Sequence, residues 1–190
     1  MEKELKEFIV RHEKEVIPVI QKCNIACWNA AVTGKEDDYK KAEVMQLQLV
    51  KIYSNKEDFA ILKKIRESNA VTDSLLLRQL KVFYNYFLKS AADTNLLQEI
   101  ISMEVNIEKK YSNFRTEWNG KKITDNDIEE ILSKSTDEKE LKSAWMEHKK
   151  IGPLVNTDVI TLVKKRNEMA KSLGFANYHT MSLTQSEQDP

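Results

Sequence analysis

Turn-forming residues are scarce in this chain, which holds four glycines and three prolines in 190 residues. So few of them exclude a fold of many short strands and favour long helices. Glycines as scattered as Gly34, Gly120, Gly152 and Gly174 cannot form a Gly-rich phosphate loop. Cysteine is almost missing. Cys23 and Cys27 lie one helical turn apart, a spacing poor for a disulfide and with too few ligands for zinc, so both read as small core residues. Neither sign of charge is in excess, since 30 basic residues balance 30 acidic ones. No net field draws the chain to polyanions, so neither nucleic acid nor membrane is expected as a partner. No apolar run approaches the roughly 20 residues that cross a bilayer. The start, Met1-Glu2-Lys3-Glu4-Leu5-Lys6-Glu7, alternates charge and lacks the apolar stretch of a signal peptide, so a cytoplasmic location is the expectation.

Catalytic signatures are missing as well. There is no G-x-S-x-G elbow. Of the three histidines, His12 opens the string His12-Glu13-Lys14-Glu15-Val16, which begins like the zinc-binding H-E-x-x-H. Two imidazoles one turn apart let a helix face grip zinc while the intervening glutamate activates water. Val16 occupies the second histidine's place, so the site fails and His12 reads as a solvated or half-buried helix residue. His148 lies on a charged face, Glu147-His148-Lys149-Lys150, and His179 lies in the last turn. A thiolate pair of His12 with Cys23 fails on distance, because eleven residues of helix span roughly 16 Å. Acidic pairs such as Asp37-Asp38 and dispersed lysine pairs read as solvated faces. No catalytic, metal-ligating or cofactor-binding residue is expected in this chain.

What the sequence does contain is helical periodicity. Leu5, Phe8, Ile9, Val16, Val19, Ile20, Cys23, Ala26, Cys27 and Ala30 recur at helical spacing from about Lys3 to Val32. Pro18 is expected to kink that helix or divide it near Ile17, and Gly34 to end it. Further helices are expected at about 37–53, 56–67, 72–90 and 93–113. The fourth, carrying Leu75, Leu76, Leu77, Leu80, Val82, Phe83, Tyr86, Phe87 and Leu88, is apolar almost all round and reads as central. Asn119-Gly120 between short β-tolerant runs signals a two-residue hairpin turn near 114–123. Thr124, with Asp127 three residues on, caps a helix to Lys134. Others follow at about 137–151 and, with Pro153 in the first turn, to about Ser172, where Gly174 stops it. A short helical turn is expected at 176–182. The fold class is therefore all-α: a multi-helix bundle of about eight helices with one short β-hairpin. It forms a single helical region over 1–190, with a possible sub-boundary near 114–124.

The second half carries a specific pattern. Leu141-Lys142-Ser143-Ala144-Trp145, then Ile151-Gly152, then the run Arg166-Asn167-Glu168-Met169-Ala170-Lys171-Ser172-Leu173-Gly174-Phe175-Ala176-Asn177-Tyr178-His179 stand in order. This resembles the region upstream of the catalytic half in angiotensin-converting-enzyme-like zinc metallopeptidases. The latter string is also similar to thimet oligopeptidase and oligoendopeptidase F. The resemblance covers nearly the whole chain, most strongly after about residue 110. Trp145, Arg166, Asn167, Gly174, Phe175 and Tyr178 are then structural: Gly174 takes a left-handed cap, Phe175 and Tyr178 staple it, and Arg166 and Asn167 tie helix ends.

The resemblance implies an N-terminal lid and channel-wall portion of a larger, zinc-dependent peptidase. Zinc and peptide substrates would belong to the parent enzyme, with a C-terminal catalytic half as partner. Trp28 and Lys149 are candidate channel-wall residues, and Lys149 stands near the position of a chloride-site arginine. The chain alone is expected to be inactive. It is also expected to expose an apolar face, or to hide one by self-association. The alternative is a free-standing helical binding or scaffold protein without catalysis.

Overall fold

A helix of 32 residues, α1 (Glu2–Thr33), opens the fold of the computed structural model, which describes residues 1–189. Pro18 does not divide it, division being the second of the two outcomes expected. The proline is exposed, and so is Lys14, whose carbonyl loses its partner to the missing N–H. Water can satisfy that carbonyl, so the helix continues. Gly34 ends α1 with φ 65°, its N–H donating to the Ala30 carbonyl at 2.9 Å. Glycine is required here for a second reason. A Cβ would stand 2.3 Å from Oδ1 of Asn113, whose Nδ2 donates to the Gly34 carbonyl at 3.1 Å.

The chain then turns back as α2 (Glu36–Tyr53), which packs along α1. Next come α3 (Lys56–Glu67), α4 (Ser74–Ser90) and α5 (Thr94–Asn113). Each begins on a side-chain cap: Asn55 for α3, Asp73 for α4 and Asp93 for α5. Glu2 adds a distant one, its Oε1 accepting from the N–H groups of Thr72 at 2.9 Å and Asp73 at 3.2 Å. Strands β1 (Thr116–Trp118) and β2 (Lys121–Ile123) pair antiparallel with Trp118 opposite Lys121. Asn119 and Gly120, at φ 49° and 73°, form the tight turn between them.

Four helices complete the chain. They are α6 (Asp125–Lys134), α7 (Glu138–His148), α8 (Ile151–Ser172) and α9 (Tyr178–Gln185). Thr124 and Asp127 form the expected capping box of α6. Among the described residues there are nine helices, because the short turn expected at 176–182 is a two-turn helix of its own.

The core lies in three clusters. Leu5, Phe8, Leu62, Ile65, Leu80 and Phe87 join α1, α3 and α4. Ala30, Tyr39, Ala42, Ile101 and Val105 join α1, α2 and α5. Leu97, Ile100, Leu162, Met169 and Met181 join α5, α8 and α9. Helix α4 packs against α1, α2, α3 and α9, yet Leu75, Leu77 and Tyr86 remain exposed. It is central by its neighbours, and the exposed apolar residues flank its buried side on both edges. The hairpin, α6 and α7 form a local group around Thr116, Ile128 and Ala144, all buried.

Candidate functional site

The pattern Arg166 to Tyr178 spans the end of α8 and the start of α9. Helix α8 stops because Gly174 adopts φ 87°. Its N–H donates to the Lys171 carbonyl and the Phe175 N–H to the Ala170 carbonyl, each at 3.0 Å. Those two bonds satisfy carbonyls that a helix end otherwise leaves open. Phe175, Tyr178 and Leu173 then pack on the buried cluster of Met169, Ala170 and Met181.

Arg166 reaches across to α5. Its Nε and Nη2 donate to Oε1 of Glu104 at 3.0 and 2.7 Å, and its guanidinium lies 5.0 Å from the centre of the Tyr178 ring. Asn167 accepts the Tyr178 N–H on Oδ1 at 2.9 Å, which occupies one of the open donors at the start of α9. Asn177 caps the same helix by accepting from Thr180. Five of the six pattern residues thus form one knot that fixes α5, α8 and α9 against each other. Its chemistry is that of a brace: an ion pair, a cap and an aromatic face, with no nucleophile and no acid–base pair.

Glu104 escaped the sequence reading. It is one acidic residue among thirty on a helix of mixed charge, and only the fold brings it to Arg166, 62 positions away. Two small clefts flank Tyr178. One of about 220 Å³ lies between α4 and α9 beside Lys89 and Ser182, and another of about 200 Å³ lies beside Gln46, Glu104 and Met169.

Trp145, the sixth residue of the pattern, sits on α7 and is 50% exposed. Lys149, one turn on, holds its Nζ 5.7 Å from the centre of that indole. His148 Nδ1 lies 3.5 Å from Oδ1 of Asp125, a carboxylate at the start of α6. The C-terminal end of α7 therefore presents an indole and an ammonium side by side to solvent. Trp28 stands elsewhere, on α1, and is 71% exposed. Helix α1 packs on α2 and α4 while α7 packs on α6 and β1, so the two candidate wall residues belong to separate helix groups.

His12 corrects the sequence reading most sharply. It is fully buried, not solvated. Its ring stacks on Phe8 at 5.4 Å and is enclosed by Tyr53, Phe83 and Phe87 at 5.2 to 5.3 Å. Neither ring nitrogen has a hydrogen-bond partner. Burial holds its pKa below the ordinary 6.5, against the pull of the Asp58 and Glu15 carboxylates. The same burial pushes the Tyr53 hydroxyl up to about 12. Asp58 itself is claimed by Arg11, whose Nη1 donates to it at 3.3 Å. The start of the zinc motif is thus spent on packing. No group of three or more His, Cys, Asp or Glu suited to a metal ion occurs among the described residues, so the side chains present do not fit a zinc ion.

The family model described as angiotensin-converting enzyme, Peptidase_M2, matches residues 1–189. Neither the curated proteins nor the solved structures contain a match to the chain.

Proposed function

The chain belongs to the angiotensin-converting enzyme family of peptidases, and from that premise we propose that it is a non-catalytic, helical portion of a zinc-dependent peptidyl-dipeptidase or oligopeptidase. The observation that carries this reading is the fate of His12. In a family whose chemistry implies zinc, the one string that begins H-E-x-x-H lacks its second imidazole at Val16. It also buries its first among Phe8, Phe83 and Phe87. Zinc and the water-activating glutamate would then be supplied by polypeptide outside these residues.

The role left to this chain is to shape the substrate channel. Support comes from exposed apolar side chains on α7 and α8: Trp145, Met146, Leu154, Ile160 and Val163. A catalytic half packed against these helices would cover part of them, leaving Trp145 and Lys149 at the channel wall. Lysine lacks the planar fork with which arginine grips an anion, so dependence on chloride is not expected at Lys149. The knot of Arg166, Glu104, Asn167 and Tyr178 would keep the wall rigid.

The test is zinc content after equilibrium dialysis, together with hydrolysis of a fluorogenic oligopeptide by the purified chain. Substoichiometric zinc and no turnover are expected. Turnover is expected on adding a separately produced H-E-x-x-H segment of the same family. One bound zinc per chain with turnover by the chain alone would overturn the reading.

A further inference from the structure

Helix α1 is apolar on two opposite sides. Leu5, Phe8, Ile9, His12, Val16, Cys23 and Ala30 are buried and define the core side. At about 100° per residue, Val10, Ile17, Ile25, Trp28 and Val32 fall within an arc of about 80°, centred roughly 160° from that side. These five residues are between 47% and 71% exposed. The stripe runs for about 33 Å, more than six turns at 1.5 Å per residue. A surface helix needs one apolar stripe, and this one has two.

The second stripe is self-complementary when its direction is reversed. About a centre at Gln21, position 10 faces 32, 17 faces 25, and 14 faces 28. Two antiparallel copies would therefore set Val10 on Val32 and Ile17 on Ile25, with Gln21 beside its own counterpart on the two-fold axis. Lys14 would lie over Trp28, an ammonium on an indole face. Gln21 and Lys14 are both exposed on the free chain. The five apolar side chains expose on the order of 600 Å² per copy, so a pair would bury about 1,200 Å², the lower end of stable protein interfaces.

We propose that α1 is a dimerisation helix: two copies of this chain associate through an isologous, antiparallel contact of their second α1 stripes, centred on Gln21. This proposal does not depend on the peptidase reading, and it places Trp28 in a subunit contact, not at a channel wall.

The experiment is sedimentation velocity of the full chain from 1 to 100 μM, with Ile25→Glu and Gln21→Cys variants. Two-fold symmetry makes every substitution count twice. Ile25→Glu sets a carboxylate against Ile17 at both ends and is expected to raise the dimer dissociation constant at least a hundredfold, with an unchanged far-UV circular dichroism spectrum. Gln21→Cys, made with Cys23→Ala and Cys27→Ala, is expected to form an intermolecular disulfide in good yield. Val10→Cys in the same background should not link to itself, yet should link when mixed with Val32→Cys. A monomer at 100 μM would overturn the proposal and assign the stripe to another polypeptide. So would a dimer that survives Ile25→Glu, or one in which Gln21→Cys stays reduced, since either places the contact on a different face.

Discussion

Replacing His12 by phenylalanine should stabilise this protein, and more so in mild acid. The imidazole is fully buried among Phe8, Tyr53, Phe83 and Phe87 with both nitrogens unpartnered. An unsatisfied buried polar group costs about 1–3 kcal/mol, and the slightly larger phenyl ring returns part of that as strain in a filled cluster. The net gain expected for His12→Phe at pH 7.5 is about 1 kcal/mol, or a rise of roughly 2–4 °C in Tm for a chain of this size.

The pH dependence follows from linkage. Burial lowers the folded-state pKa of His12 below 6.5, so the unfolded chain takes up the proton first as pH falls. Stability is fully present above about pH 6.5 and is lost progressively below it. Between pH 7.5 and 5.5 that loss amounts to at most about 1.4 kcal/mol for one histidine protonated only when unfolded. Urea melts of wild type and His12→Phe at pH 7.5, 6.5 and 5.5 isolate this residue, because every other side chain is common to the two proteins. The gap between the two proteins should widen from about 1 kcal/mol as pH falls, to at most about 2.4 kcal/mol, the sum of the packing and proton effects. Parallel pH profiles, or a variant less stable than wild type at pH 7.5, would refute the burial argument.

Other substitutions test the braces. Gly34→Ala combines a left-handed backbone with a Cβ 2.3 Å from Oδ1 of Asn113. It should cost about 2 kcal/mol in urea denaturation. Arg166→Lys keeps the charge but loses the two-pronged donation to Glu104, at a cost of about 1 kcal/mol, and an unchanged urea midpoint would argue against the knot. Asn167→Ala frees the Tyr178 N–H, and faster amide exchange at residues 178–181 is expected with a global loss of about 1 kcal/mol.

Local chemistry was legible along the chain. Asn55, Thr124 with Asp127, the Asn119-Gly120 turn, Gly34 and Gly174 each act on backbone groups within a few residues, so their places in the sequence fix where elements start and stop. The apolar spacing of α1 and α5 likewise fixes which faces seek a core. By itself, then, the sequence determined the helices, their boundaries and the family pattern from Trp145 to Tyr178. Tertiary structure decided the rest, because those outcomes depend on residues far apart in the chain. Asp58 is held by Arg11, 47 positions away. Pro18 leaves α1 whole because the fold puts it at the solvent side. His12 is buried because Tyr53, Phe83 and Phe87 arrive from α2 and α4 to surround it. The second stripe of α1 and the exposure of Leu75, Leu77 and Tyr86 on α4 are visible only once packing shows that no other helix covers them. Periodicity states how much apolar surface a helix carries, and only the assembled neighbours state which part of it stays in water.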